Sequence, residues 1–107
     1  MIDAAWTADM TDNTNGANKG QLVGVARTSF GANQYGWLQV AGKAQVRVAA
    51  NAAANSVLNT TGTAGELDDG ASAGTYNVPG VVLTTGAGGS AETVEGVLNN
   101  PELGAGN

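Results

Sequence analysis

Three observations on the sequence predict an all-β fold, a small antiparallel barrel or sandwich. From Lys43 to Val48 polar and apolar residues alternate without a break, which is the period of a half-buried strand. Other short runs rich in Val, Leu and Thr follow at a spacing of roughly ten residues, set apart by turns that draw on 17 glycines. The one stretch with helical propensity, residues 49–54, is rich in alanine, but it is too short to persist as an isolated helix and reads as a loop or a single turn.

Taken in order, residues 1–20 hold Asp3, Asp9 and Asp12 among several Asn and Thr, with no regular period. They read as an extended N-terminal arm. Ile2, Trp6 and Met10 recur every fourth residue and would be its anchors. A helix there is opposed by the Thr, Asp and Asn content. Either Trp6 docks on the body or a neighbouring subunit, or the terminus is disordered.

A β-rich body is expected over residues 21–101. Residues 22–28 form its first strand, with Val23 and Val25 on one face. Residues 35–41 form the second, with Trp37, Gln39 and Ala41 on one face and Leu38 and Val40 on the other. In the third, residues 43–49, Ala44, Val46 and Val48 turn inward and Lys43, Gln45 and Arg47 outward. Gly42 between them is either a tight turn or a bulge bending one long strand. Residues 56–61 come next, and residues 62–74 read as turns. Residues 78–85 form a strand with Pro79 near its start, where a missing N–H is tolerated. Residues 86–90 are a Gly-rich loop, residues 93–99 the last strand, and residues 102–107 a C-terminal tail.

Composition narrows the function. Of the 107 residues 42% are hydrophobic, but much of that is alanine and only 5% are aromatic. Small side chains bury little area, and burial yields roughly 25 cal/mol per Å². The core is therefore expected to be thin and to gain from burial against a partner or another copy. In so ring-poor a chain Trp37 is expected to supply core volume. The net charge is −5 with only four basic residues, too few for the basic face that nucleic acid or an anionic membrane requires. No apolar run approaches the roughly 20 residues of a membrane span. The first residues show neither a basic nor an apolar leader region, so no secretory signal is expected.

The residues that do chemistry are scarce. There is no histidine and no cysteine, so the usual neutral-pH base, the thiol nucleophile, the disulfide and the commonest metal ligands are missing. Ser29, Ser56, Ser72 and Ser90 have no histidine to activate them. Glu66, Asp68 and Asp69 flank a glycine but form only a fragment of a calcium loop, and an ordinary solvated turn is the reading. Glu92 and Glu95 read as edge-strand charges that discourage stray pairing. The loop at residues 86–89 lacks the Lys-Ser/Thr sequel of a phosphate loop. The chain is expected to be no enzyme and to take no cofactor, metal or small-molecule substrate. Arg27, Lys43 and Arg47 lie on or beside predicted strands of an acidic chain. They serve either solubility or contact with an acidic or carbonyl-rich partner surface.

An ordered set of segments carries a resemblance. It comprises Leu22-Val23-Gly24-Val25-Ala26, Tyr35-Gly36-Trp37-Leu38-Gln39-Val40-Ala41-Gly42 and the Ala-rich run ending in Leu58. After these come Thr63-Ala64-Gly65-Glu66-Leu67-Asp68-Asp69, Pro79-Gly80-Val81-Val82-Leu83 and Val97-Leu98-Asn99-Asn100-Pro101. Over about residues 20–101 this succession resembles the decoration, or head cement, proteins of tailed bacteriophage capsids. The resemblance implies a β-tulip-like body and an N-terminal arm that orders on the major capsid protein. It implies a homo-oligomer, with a trimer favoured, on the outer surface of the virion after assembly in the host cytoplasm. Ile2, Trp6, Met10, Arg27, Lys43 and Arg47 are then the expected capsid or subunit contacts. Two other readings stand beside it: another virion β-module, such as a tail tube, head fibre base or adhesin, and a small carbohydrate-binding module. The last would stack sugars on Trp6, Trp37 and Tyr35 and requires Trp37 to be exposed.

Overall fold

The computed structural model describes residues 10–14, 20–28 and 31–107. Among them there is no helix, and so none long and apolar enough to cross a membrane. Seven strands occur: β1 Val25–Ala26, β2 Leu38–Gln39, β3 Ala41–Val48, β4 Asn59–Thr60, β5 Leu67–Asp68, β6 Val81–Leu83 and β7 Glu92–Asn99. β1 and β2 make a two-stranded ribbon, and the rest form one curled sheet in the order β4-β5-β3-β7-β6. The expected all-β class is thus present. The expectation of purely antiparallel pairing is corrected, because β3 and β5 run parallel where Val48 pairs with Leu67.

The alternation that defines β3 does what its period dictates. Ala44, Val46 and Val48 are buried, while Lys43, Gln45 and Arg47 face out. Its antiparallel partner β7 continues both faces, with Val46 opposite Val94 inside and Gln45 opposite Glu95 outside. Gly42 is neither turn nor bulge. Its φ is +85°, yet the register runs unbroken from Ala41–Asn99 through Gly42–Leu98 to Lys43–Val97, and no unpaired residue marks a bulge. β7 lies between β3 and β6, but β6 pairs only with Gly96, Val97 and Leu98. Glu92 and Glu95 therefore sit on the part of β7 that β6 leaves uncovered, apart from the Thr84 N–H bond to Glu95 O (3.0 Å). In residues 62–74, read as turns, the two-residue β5 is a strand that the sequence reading omits.

Among the described residues the core contains Val, Leu and Ala alone, and Leu58, Leu83, Leu103, Val48 and Val78 are its largest fully buried hydrophobic members. Trp37 is no part of it. It is 90% exposed and Tyr35 is fully exposed, which corrects both the core role and the long second strand. Only Leu38 and Gln39 of residues 35–41 pair, with Ala26 and Val25. β1 offers just two residues to pair with, so the chain before Leu38 leaves the ribbon and carries its rings into solvent.

Beyond β4 the hydrogen bonding continues through irregular chain. Thr60 N–H donates to Tyr76 O (2.8 Å), Asn77 N–H to Ala105 O (2.9 Å) and Asn107 N–H to Thr75 O (2.8 Å). Leu103 N–H donates to Gln21 O (3.0 Å), and Gly20 N–H to Leu103 O (2.7 Å). Residues 102–107, expected as a tail, therefore pack on the body, with Leu103 only 1% exposed. Asn107 Nδ2 donates to Asn59 Oδ1 and Thr75 Oγ1, both at 2.9 Å. These bonds satisfy polar groups that are costly to bury alone, since Asn59 is 2% and Thr75 7% exposed.

Of the arm expected over residues 1–20, the described part lies on the body. Asn13 N–H donates to Thr61 O and Gly65 N–H to Thr11 O, each at 2.9 Å, and Thr11 is buried. Ile2 and Trp6 lie outside the described residues.

Gly80 illustrates a backbone constraint with a measurable consequence. Its φ is +91°, and a Cβ there would sit 2.8 Å from both Asn99 O and Pro101 Cα. Both are backbone atoms and cannot rotate away. Gly74 has a similar φ of +87° with nothing within 4 Å of its would-be Cβ. Gly80→Ala is expected to cost at least about 2 kcal/mol more than Gly74→Ala, the conformational strain being shared and the overlap not. Equal midpoints in urea for the two variants would show that the close approach does not require glycine at position 80.

Candidate functional site

The described residues with the character of contact groups gather where the ribbon meets β3. Arg27 follows β1 directly and Trp37 precedes β2 directly, so the pairing of Ala26 with Leu38 sets them at the same end of the ribbon. Arg27 Nη1 donates to Gln39 Oε1 at 3.2 Å. Gln39 Nε2 in turn donates to Ala41 O (2.9 Å) and Lys43 O (2.6 Å). One amide thus ties the Arg27 side chain to the backbone from which Lys43 projects. A polar residue in an otherwise apolar short run was the available signal for Gln39, and the sequence reading assigned it only to a face.

Arg27 and Lys43 line a surface hollow of about 340 Å³ between β1 and β3, with Gln45 and Glu95 at its polar wall and Val25 and Ala44 at its apolar one. Glu95 is engaged by Thr84, whose Oγ1 donates to Glu95 Oε1 at 3.0 Å. Arg47, two positions beyond Gln45 on the same face, pairs with Glu66, Nε to Oε2 at 3.7 Å. Its side chain keeps about half its surface exposed, and a pair of this kind adds little stability because solvent screens it. It is the one ion pair among the described residues.

Of the six expected contacts, the structure therefore brings together Arg27, Lys43 and Arg47. Met10, 57% exposed, lies over Gly65 and lines a second surface hollow together with Arg27 and Arg47. Trp37, expected as core, is instead an exposed ring beside Arg27, and Tyr35, for which core or contact was open, is exposed too. Among hydrophobic side chains Val57, at 65%, is also well exposed, but it stands apart in the loop before β4.

The acidic turn after β4 resolves into separate contacts. Glu66 faces Arg47, Asp68 Oδ1 accepts from Asp69 N–H (2.8 Å), and Asp69 Oδ2 accepts from Ala53 N–H (3.1 Å). Among the described residues no three Asp, Glu, His or Cys side chains gather as a metal would require. The arrangement around Arg27 can therefore bind, through cation, amide and aromatic groups. It contains no paired base and nucleophile of the kind catalysis uses. No protein-family model, curated protein or solved structure matches the chain.

Proposed function

We propose that this protein is a bacteriophage virion protein that binds the outer surface of the capsid and stabilises the major capsid protein lattice. The observation that carries the reading is the exposure of Tyr35 and Trp37 at 102% and 90%, in a chain with only five aromatic residues. Large rings left in water lose the burial energy that each would gain in a core. Trp37 beside Arg27 pairs two residue types that dominate protein interfaces. The resemblance of the ordered segments over residues 20–101 to head decoration proteins supplies the partner. The mechanism is mass action: a protein that binds the assembled lattice and not its free subunits stabilises the lattice as occupancy rises. A homo-oligomer, with a trimer favoured, and an N-terminal arm engaging capsid belong to the same proposal, as does the absence of catalysis.

Mixing the purified protein with undecorated capsids and imaging the particles tests it. Added density at symmetric positions on the outer shell is the expected result, and bare shells at saturating protein would end the proposal. The exposure of Trp37 specifically favours a second reading, the small carbohydrate-binding module. Under that reading neutral sugars quench tryptophan fluorescence; under the capsid reading they leave it unchanged.

A further inference from the structure

We infer that the hollow between β1 and β3 is a docking site for a carboxylate-bearing segment of a protein partner, with Arg27 and Lys43 holding the carboxylate and Trp37, at the same end of the ribbon as Arg27, meeting its apolar flank. The inference deepens the binding role proposed above and rests on it.

Charge complementarity argues for this occupant. The chain carries nine carboxylates against four basic residues. Yet Arg27, Lys43 and Arg47, which are all the Lys and Arg of the described residues, lie about one junction. Of these, Arg47 is spent on Glu66. Arg27 is held by a neutral amide, Gln39, which fixes the guanidinium without neutralising it. A guanidinium has five N–H donors in a planar fork suited to carboxylate, and the hydrogen bond to Gln39 uses one of them. The preorganised fork and a nearby ammonium line the hollow, and the exposed Trp37 lies at the same end of the ribbon as Arg27.

The same features select among anions. A polyanion such as nucleic acid or an acidic polysaccharide presents charge continuously, and would meet a net charge of −5 around the hollow. A protein surface presents single carboxylates among apolar groups, which suits two cations with the Trp37 ring beside one of them. Away from the hollow the net negative charge repels such a surface, so the attraction is local and orients the partner.

The test uses a Trp6→Phe background, in which Trp37 is the sole tryptophan and reports directly. The probes are a blocked peptide of Glu, Ala and Phe, its Gln-for-Glu counterpart, polygalacturonate, and undecorated capsids. A change in Trp37 emission with the Glu peptide is expected, weakened at least tenfold in Arg27→Gln/Lys43→Gln and by raised salt. Val57→Ser, at an exposed residue remote from the hollow, should leave it unchanged. An equal response to the Gln peptide, tighter binding of polygalacturonate, or no response at millimolar Glu peptide overturns the inference. On capsids, wild-type decoration that survives both Arg27→Gln/Lys43→Gln and Trp37→Ala also overturns it while leaving the capsid role standing. Bare shells alongside tight Glu-peptide binding reject the capsid role and retain the hollow. Far-ultraviolet circular dichroism identical to wild type certifies each variant as folded.

Discussion

Leu83→Ala is expected to lower the melting temperature by about 15 °C, while Val82→Ala, one residue away, moves it by only a few degrees. Leu83 is fully buried at the end of β6, and Val82 is 44% exposed on the opposite face. Removing a buried leucine side chain costs about 2–5 kcal/mol, the transfer term plus the cavity that remains. For a domain near this size, each kcal/mol is worth about 4–8 °C. Among the described residues the 13 buried hydrophobic side chains include no aromatic ring, so none of them offers a large group to collapse into the space. A surface valine costs within about 0.5 kcal/mol by comparison. Thermal unfolding of the two variants measures the contrast. Equal losses would mean that the two faces of β6 are assigned wrongly.

Deleting residues 102–107 is expected to cost about 5 kcal/mol, a large share of the 5–15 kcal/mol that stabilises a typical domain. Two contributions make up most of it. Leu103 is buried, and losing it forfeits about 1.5–3 kcal/mol of apolar burial. Losing Asn107 removes the donor to Asn59 Oδ1, and an orphaned buried polar group costs about 1–3 kcal/mol. The backbone bonds from Asn77, Leu103, Gly104 and Asn107 go as well. Leu103→Ala and Asn107→Ala separate the two contributions in urea titrations. A truncated chain with an unchanged midpoint would show that these residues are an appendage after all.

That segment marks where the sequence stopped being legible. Residues 102–107 contain two glycines, one proline-adjacent glutamate and a single leucine, with no period and no run long enough to name as a strand. They are held by partners 20 to more than 80 residues away in the chain, such as Thr75 and Gln21. No local pattern encodes contacts of that range. β4 and β5 were faint for the same reason: each is two residues long, β4 existing because β5 lies beside it and β5 because β4 and β3 flank it. Trp37 failed differently. The argument that a ring-poor chain must bury its tryptophan weighs volume, whereas the outcome depended on where β1 ends. With only two residues to pair against, β2 could not carry Trp37 onto a packed face. The candidate site was half visible: its cations stood out as rare charges in an acidic chain, but their convergence, and the amide of Gln39 that links them, required the fold.

By itself the sequence determined the all-β class, the two long strands and the inward face of the first of them. Strict alternation from Lys43 to Val48 leaves one way to bury Ala44, Val46 and Val48, and shifting the register by one residue would expose them all. The tertiary structure alone decided the strand order, the parallel contact of β3 with β5, the docking of the C-terminal segment and the exposure of the rings at Tyr35 and Trp37. Those outcomes turn on pairings between residues distant in the chain, whose free energy exists only once the rest of the sheet is in place.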